Sequence, residues 1–254
     1  KVNCYDKNQA LIKQCKKGIF PFKEKNGKSQ LQKAIKSKNI NFISSPDNTI
    51  KNSDIIITIG TPVDEYLNPN VRQFLELFVA LKKYLNKNQT VIIRSTIYPR
   101  TCQQVTKILG KNINLAYCPE RIAQGHAIEE LSKLPQIVAG VTLQAQNNAA
   151  KLFKLIASKV LTVSVEEAEL AKLFSNAWRY IQFSVANQFY MIANDFNLDF
   201  NRIRKVMLDG YGRAANLPSA GFAAGPCLLK DTMQLAAFNN NNFFLGHAAM
   251  MINE

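Results

Sequence analysis

Short apolar runs that end in polar residues alternate with amphipathic segments, and this alternation constrains the fold more than any other feature of the sequence. The clearest runs are DIIITIGTP, TVIIRST, INLAYCPE and QIVAGV, at residues 54–62, 90–96, 113–120 and 136–141. Runs of this length that are rich in β-branched residues are typical of buried strands. Strands that alternate with helices through short connections predict a doubly wound, Rossmann-like α/β fold with a parallel sheet.

The pattern of elements changes near residue 165. Before it, further strands are predicted at 2–6 and 41–44, and helices at 9–17, 29–38, 71–85 and 101–109. After it, the apolar spacing is helical, with one long helix predicted at 166–196 and shorter helices at 200–208, 230–238 and 243–253. We therefore expect an α/β domain over residues 1–165, followed by a mostly helical domain over residues 166–254.

The chain is strongly basic. It carries 32 lysines and arginines against 18 acidic residues, a formal net charge of +14. Such a charge attracts polyanions. The lysines are scattered and we find no nucleic-acid-binding motif, which leaves a solvated basic surface or a phosphate-bearing ligand as the main interpretations, with nucleic acid an unlikely partner. No apolar run reaches the length of about 18 residues that a membrane-spanning helix requires.

Thiol and imidazole groups are few. The five cysteines stand at positions 4, 15, 102, 118 and 227, with no CxxC spacing, and there are two histidines. An odd number of cysteines in this arrangement favours reduced thiols and a cytoplasmic protein, and we predict no metal site. Because the chain begins inside a predicted strand and ends in a predicted helix, we expect the natural protein to extend at both ends.

Polar residues follow the predicted strands at the positions where a doubly wound sheet binds ligands. Asp6, Thr61, Thr96 and Glu120 are the candidates. Asp6 is either an acceptor for the hydroxyls of an adenosine ribose or the N-cap of the next helix. Glu120 is either a base or water-positioning carboxylate, or the ion-pair partner of Arg121.

The long predicted helix carries Lys172 and Asn176, four residues apart and therefore on one face. If that face is buried, an ammonium and an amide need polar partners or a ligand, and together they could hold a water or an alkoxide. The alternative is a solvated helix edge, since this spacing is common.

The segment AGFAAGPCLLKD, at residues 220–231, contains the most distinctive cysteine. Gly221, Gly225 and the alanines around them leave little side-chain bulk, so a ligand can approach the backbone closely. Cys227 stands near the start of a predicted helix and close to Lys230, an environment that favours a thiolate. A packed core cysteine is the alternative.

Taken together, these segments resemble the nucleotide-sugar dehydrogenases, the family of the UDP-glucose and UDP-N-acetylmannosamine 6-dehydrogenases. The resemblance covers nearly the whole chain and is most specific around Cys227. The 3-hydroxyacid and 6-phosphogluconate dehydrogenases have a similar lysine and asparagine but lack the cysteine. The segments are VNCYD, GTPVDE, RSTIYPRT, LAYCPERIAQGHAIEELSKLPQIVAG, AELAKLFSNAWRY and LPSAGFAAGPCLLKDTMQLA.

The resemblance implies an NAD-dependent four-electron oxidation of the C6 hydroxyl of a UDP-sugar to the uronic acid, as in polysaccharide biosynthesis. The reaction would pass through a thiohemiacetal and a thioester on a cysteine. The combination of GFAAGPC with YCPER and LPS favours UDP-N-acetylmannosamine as the substrate, with UDP-glucose next. The resemblance also implies a homodimer, with the long helix at its interface, and a dinucleotide-binding role for residues 1–165.

Matched position by position, the resemblance assigns a role to each candidate. Cys227 corresponds to the nucleophile, Lys172 and Asn176 to the oxyanion-stabilising pair, and Asp231 to the acid that orients a water. Glu120 and Thr96 correspond to residues of thioester hydrolysis. Cofactor contacts are implied for Asp6, Thr61, Thr96 and Lys230, and substrate contacts for Glu120, Arg121, Lys172, Asn176, Arg213, Gly221 and Gly225.

Two other functions are compatible with the residues. A two-electron dehydrogenase of the 3-hydroxyacid or 6-phosphogluconate type would use Lys172 and Asn176 and be indifferent to Cys227. An inactive basic fragment that binds a partner would use neither. Because the glycine-rich dinucleotide loop and the UDP-covering domain of the resembled family have no counterpart in these 254 residues, we expect this chain alone to be a poor catalyst.

Overall fold

The chain forms two compact units. The computed structural model describes residues 1–45, 50, 53–61, 63–65, 69–223 and 226–254. One unit comprises residues 1–60, 72–96 and 100–168, and the other comprises residues 61–71, 97–99 and 169–254. We call them the α/β unit and the helical unit, after the elements that they contain.

Strands and helices alternate through the α/β unit. The strands are β1 (Val2–Tyr5), β2 (Ile40–Ile43), β3 (Ile55–Ile57), β4 (Thr90–Ile93), β5 (Asn114–Tyr117), β6 (Gln136–Gly140) and β7 (Val160–Thr162). The helices are α1 (Gln9–Lys16), α2 (Gly27–Lys36), α3 (Val71–Lys82), α4 (Thr101–Leu109), α5 (Ala127–Lys133) and α6 (Leu143–Phe153). This alternation confirms the predicted α/β class.

The strands pair in two sheets, β1–β2 and β3–β4–β5–β6–β7. Every pair is parallel except β5–β6, which is antiparallel. The apolar runs in the sequence do not reveal that β5 and β6 are antiparallel, because a strand that is buried on both faces has the same pattern in either direction. Parallel β3, β4 and β5 end at one edge, so the residues that follow them share that edge.

The core of the α/β unit lies between the central strands and α6. All four residues of β4 are buried. Ile92, Ala116 and Val138, from three neighbouring strands, pack with Ala149 and Phe153 of α6. At the end of β6, a Cβ on Gly140 would meet the backbone nitrogen of Gln146 at 2.2 Å. Only glycine therefore allows β6 and the start of α6 to approach so closely.

The helical unit is built around most of α7 (Val165–Asp195). It continues with α8 (Phe200–Leu208), a short 3-10 helix (Gly212–Ala214), α9 (Pro226–Phe238) and α10 (Phe244–Asn253). Tyr180 of α7, Leu228 of α9 and Ala249 of α10 form a buried cluster. From Val165 to Ser184, the buried residues of α7 recur every three or four positions, as expected for one helical face: Val165, Ala168, Glu169, Lys172, Leu173, Asn176, Ala177, Tyr180 and Ser184.

The predicted elements agree with the structure in type, and their ends differ. The predicted strand at 54–62 is reduced to Ile55–Ile57, and Pro62 lies outside the described residues. Helix α9 begins at Pro226 rather than Lys230, consistent with the preference of proline for the first turn of a helix. In the described part of the chain, no helix is both long and apolar enough to cross a membrane.

Candidate functional site

A buried polar pair joins the two central helices of the helical unit. Asn176 Nδ2 on α7 donates to Asp231 Oδ2 on α9 at 2.5 Å. Asp231 is 1% exposed, Asn176 9% and Lys172, one turn earlier on α7, 8%. The alternative of a solvated helix edge is therefore wrong, and the lysine and asparagine lie in the interior of this unit. Burial of these groups is costly unless they have polar partners or a ligand.

A cation lies beside the same carboxylate. Lys230 Nζ is 3.3 Å from Asp231 Oδ1, an ion pair that lacks the alignment of a hydrogen bond. The same ammonium donates to the side-chain oxygen of Thr61 at 3.1 Å and to its carbonyl oxygen at 3.3 Å. The Asp231 carboxyl group thus lies between an amide and an ammonium. The same ammonium joins Lys230 to Thr61, and both residues are predicted cofactor contacts.

Cys227 is exposed, as the second residue of α9 and one helical turn before Asp231. The alternative of a packed core cysteine is therefore wrong. Cys118 provides the contrast, because it is buried in the sheet and burial raises the pKa of its thiol to about 12. Cys227 is the cysteine that an incoming electrophile can reach from solvent, and its spacing from Asp231 places both on one face of α9.

The segment before Cys227 is fixed to α7 through Gly221. The φ of Gly221 is +146°, in the region that favours glycine. Its N–H donates to Asn187 Oδ1 at 2.8 Å, and Asn187 Nδ2 donates to Asn253 Oδ1 of α10 at 2.9 Å. Gly225, also a predicted substrate contact, lies outside the described residues. Arg213 is exposed, and its guanidinium lies 5.5 Å from the centre of the Tyr211 ring.

In the α/β unit, Glu120 is held by Arg94. The two side chains form a close ion pair, and the other oxygen of Glu120 accepts from the backbone nitrogens of Arg121 at 2.7 Å and of Ile122 at 3.1 Å. The alternative of an ion pair with the Arg121 side chain is wrong, since that guanidinium donates to Pro135 O. Both oxygens of Glu120 are engaged, so it is a fixed anion at the end of β5.

Arg94 is the site residue that sequence reasoning missed. Arg94 is the first residue after β4, and Glu120 comes shortly after the end of β5. The parallel register pairs the last residues of these two strands, Ile93 and Tyr117. Burial lowers the pKa of Arg94, the largest effect on this group. Its guanidinium also donates to Gln136 Oε1 at 2.9 Å. The available signal was an arginine at a strand exit of a predicted parallel sheet, in the segment RST.

Asp6 lies at the carboxyl end of β1 and is exposed. Its Oδ1 accepts from the backbone nitrogen of Asn8 at 2.7 Å, and Asn8 is the residue that caps α1, by accepting from Leu11 N at 3.1 Å. The N-cap alternative for Asp6 is therefore wrong. A carboxylate at this place, anchored through one oxygen, fits the role of acceptor for the ribose hydroxyls of a dinucleotide.

The predicted site residues thus fall into separate groups. Asn176, Asp231, Lys230 and Thr61 are linked by direct contacts in the helical unit, where Cys227 and Lys172 each lie one turn from a linked residue. In the α/β unit, Thr96 is half-buried after β4. Among the described residues, no group of three or more His, Cys, Asp and Glu side chains could hold a metal ion.

A Rossmann-like unit followed by helices that carry a buried lysine and asparagine defines a class, that of the dinucleotide-dependent dehydrogenases. The chain belongs to the UDP-glucose/GDP-mannose dehydrogenase family. Residues 1–157 match the model of its NAD-binding domain, and residues 166–254 match the model of its central domain. The predicted family is confirmed, and the match to an NAD-binding domain supports NAD as the cofactor.

Individual relatives are distant and longer. A UDP-N-acetyl-D-mannosamine dehydrogenase of Methanococcus vannielii is 25% identical over 96% of this chain and 57% of its own length. A UDP-glucose 6-dehydrogenase of Rickettsia bellii is 24% identical over 95% of this chain and 58% of its own length. The chain therefore spans less than two thirds of the relatives that it matches.

Solved structures show the same fold. A UDP-D-ManNAc dehydrogenase of Pyrococcus horikoshii superposes with a TM-score of 0.90 at 23% identity, over 99% of this chain and 62% of that structure. A UDP-glucose dehydrogenase of Pyrobaculum islandicum gives a TM-score of 0.87 at 22% identity, with the same two shares. At these identities the likeness establishes the fold alone.

Proposed function

We propose that this protein is an NAD-dependent nucleotide-sugar 6-dehydrogenase, which oxidises the C6 hydroxyl of a UDP-sugar to a carboxylate. The observation that carries the proposal is the exposed thiol of Cys227, one helical turn from the buried pair of Asp231 and Asn176. A two-electron dehydrogenase has no use for such a thiol. Membership of the family and the names of the relatives support the same reaction.

UDP-N-acetylmannosamine is the favoured substrate, with UDP-glucose next. The sequence around Cys227, GFAAGPC, and the segments YCPER and LPS support this order. The relatives include dehydrogenases named for each of the two sugars.

In this reaction the thiolate of Cys227 adds to the C6 aldehyde, forming a C–S bond and a thiohemiacetal. Loss of a hydride from that carbon leaves a thioester, and water then breaks the C–S bond to give the carboxylate and the free thiol. Lys172 stabilises the negative oxygen on C6 as it develops, and Asn176 orients it. Asp231, held by Asn176 and Lys230, positions the water.

NAD would supply the hydride acceptor for both oxidations. Asp6 would hold its ribose, and Thr61, Thr96 and Lys230 would hold the rest of the molecule. The contact between Lys230 and Thr61 supports this assignment, because it joins two of the residues proposed to hold the cofactor. We assign dinucleotide binding to residues 1–165 and the nucleophile to a helical domain over residues 166–254.

The remaining assignments concern the substrate. Glu120 and Thr96 would act in thioester hydrolysis, where the anchoring of Glu120 by Arg94 keeps its carboxylate ionised and oriented. Arg121, Arg213, Gly221 and Gly225 would contact the sugar nucleotide, and the exposed guanidinium of Arg213 suits a phosphate. We place the reaction in polysaccharide biosynthesis in the cytoplasm.

Stoichiometry tests the proposed function. We expect the full-length enzyme to form two NADH for each UDP-sugar consumed, with a uronic acid as the product, because four electrons leave C6. The measurement is NADH absorbance at limiting UDP-N-acetylmannosamine or UDP-glucose, with mass spectrometry of the product. The same sugars without UDP are the control. One NADH per substrate would favour the two-electron alternative, and no NADH with either sugar nucleotide would refute the proposal.

We also propose that the protein is a homodimer that associates through the C-terminal half of α7. Large apolar side chains are exposed there and just beyond the end of the helix, among them Ile192 (47%) and Phe196 (73%). They border an apolar groove of about 290 Å³. A second copy is the favoured occupant, because a two-fold axis across a long helix brings the same apolar surface together from both chains.

Charged substitutions on this surface test the dimer. We expect Ile192→Asp combined with Phe196→Asp to give a monomer, since buried unpaired carboxylates would oppose association. Light scattering after size-exclusion chromatography measures the mass. Val79→Asp, at a 61%-exposed position of α3, is the matched control and should leave the mass unchanged. A monomeric wild-type protein, or a double variant that stays dimeric, would contradict the proposal.

A further inference from the structure

Gln234 has a buried oxygen that the proposed mechanism does not yet use. The side chain lies on α9 and is 1% exposed. Among the described residues, its Oε1 has no hydrogen-bond donor. Buried acceptors in folded proteins nearly always have a donor, because an unpaired one is costly. An unpaired buried acceptor such as Gln234 Oε1 calls for a functional explanation. The residues around Gln234 indicate what that function is.

The contacts between α7 and α9 fix what lies opposite Gln234. Tyr180 and Leu228 belong to one buried cluster, and Asn176 bonds to Asp231. From Tyr180 to Asn176 the position on α7 falls by four, while from Leu228 to Asp231 the position on α9 rises by three. The two helices therefore run antiparallel here. The next such step leads from Asn176 to Lys172 and from Asp231 to Gln234.

Spacing along α9 agrees with this register. Cys227, Asp231 and Gln234 follow one another by four and three residues, so they share one face of the helix. Asp231 on this face bonds directly to α7. Gln234 therefore projects from the face of α9 that meets α7, at the level of Lys172.

We propose that Gln234 is a positioning residue for Lys172, and that its Oε1 accepts a hydrogen bond from the ammonium of that lysine when substrate is bound. An ammonium has three donors. One N–H of Lys172 can donate to the oxygen on C6 while a second N–H donates to Gln234 Oε1. The second hydrogen bond fixes the orientation of the ammonium. This inference rests on the proposed function, and it adds a residue to which that function assigns no role.

Three variants of the full-length enzyme test the proposal. Gln234→Met keeps the length and volume of the side chain but removes the amide oxygen. Gln234→Glu retains an acceptor at the same position. Met233→Leu changes a half-buried neighbour on the same helix without touching the polar face and serves as the matched control. For each variant, kcat and KM for UDP-N-acetylmannosamine or UDP-glucose are measured with the melting temperature.

We expect Gln234→Met to lower kcat by about 10- to 100-fold, the effect of losing one hydrogen bond to a charged group. KM should change by less than about threefold. The melting temperature should stay the same or rise, because an unpaired buried acceptor has been removed. Gln234→Glu should retain clearly more activity than Gln234→Met, and Met233→Leu should behave as the wild type.

A positioning role and a structural role give different results. If Gln234 only supported the fold, kcat would fall in both Gln234 variants in step with the melting temperature, and the inference would be wrong. It would also be wrong if Gln234→Met kept the kcat of an active wild type, and the proposed function would then stand. A wild-type enzyme that oxidises neither sugar nucleotide would refute the proposed function, and the inference with it.

Discussion

Cys227→Ser is expected to stop the oxidation at the aldehyde. A serine hydroxyl is far less ionised than a thiol, so it cannot form the covalent adduct that the second oxidation requires. We expect the rate of uronic acid formation to fall by about a thousandfold or more, a loss typical of removing a nucleophile. The yield of NADH per UDP-sugar should fall from two to one or less. Product analysis by mass spectrometry, with an aldehyde-trapping amine present, measures both.

The accessibility of the thiols provides the control for this experiment. Burial raises the pKa of the Cys118 thiol to about 12, so very few of these groups are ionised at pH 8. Alkylation of the native protein with iodoacetamide should therefore modify Cys227 and leave Cys118 intact until the chain unfolds. Cys15→Ser, at a half-buried position, should keep full activity. Undiminished uronic acid formation by Cys227→Ser would contradict the covalent mechanism.

Lys172→Met is expected to lower kcat by about 10²- to 10³-fold, the usual effect of removing a group that stabilises a developing oxyanion. Methionine fills a similar volume, so the buried face of α7 keeps its shape. The charge that would act on the C6 oxygen is lost. Steady-state kinetics with either sugar nucleotide measure the effect, and circular dichroism reports whether the fold is retained.

The matched control for this variant is Lys205→Met, an exposed lysine of α8 in the same unit. It removes the same charge from the surface and should leave kcat within about twofold of the wild type, as surface substitutions generally do. Lys172→Arg would keep the charge in a bulkier group and should restore part of the activity. If Lys172→Met were as active as the wild type, the buried lysine would have no role in the chemistry.

Local spacing was sufficient to predict which residues of the helical site share a helical face. Lys172 and Asn176 are four residues apart, as are Cys227 and Asp231, so each pair shares a helical face wherever the helices lie. The contact between the pairs was not predictable in this way. Asn176 and Asp231 are 55 positions apart, and only tertiary packing brings them together.

Strand pairing explains the errors in the α/β unit. Adjacency in sequence suggests Arg121 as an alternative ion-pair partner of Glu120. The partner is Arg94, because the parallel register of β4 and β5 places their ends side by side.

Helix α5 is not predicted from the sequence because none of its residues is buried, and an apolar pattern therefore does not mark it. Its Glu129 and Lys133 form an ion pair of 2.6 Å, which is a signal of charge spacing instead.

The amide of Asn187 has a consequence for how the segment before the nucleophile can vary. Its two ends bond to Gly221, 34 positions later, and to Asn253, 66 positions later. The position of the backbone at Gly221 is thus fixed by its hydrogen bond to α7. It does not depend on bulky side chains in the segment itself. Substitutions among the small residues before Cys227 can therefore change the local space while the attachment at Gly221 stays in place.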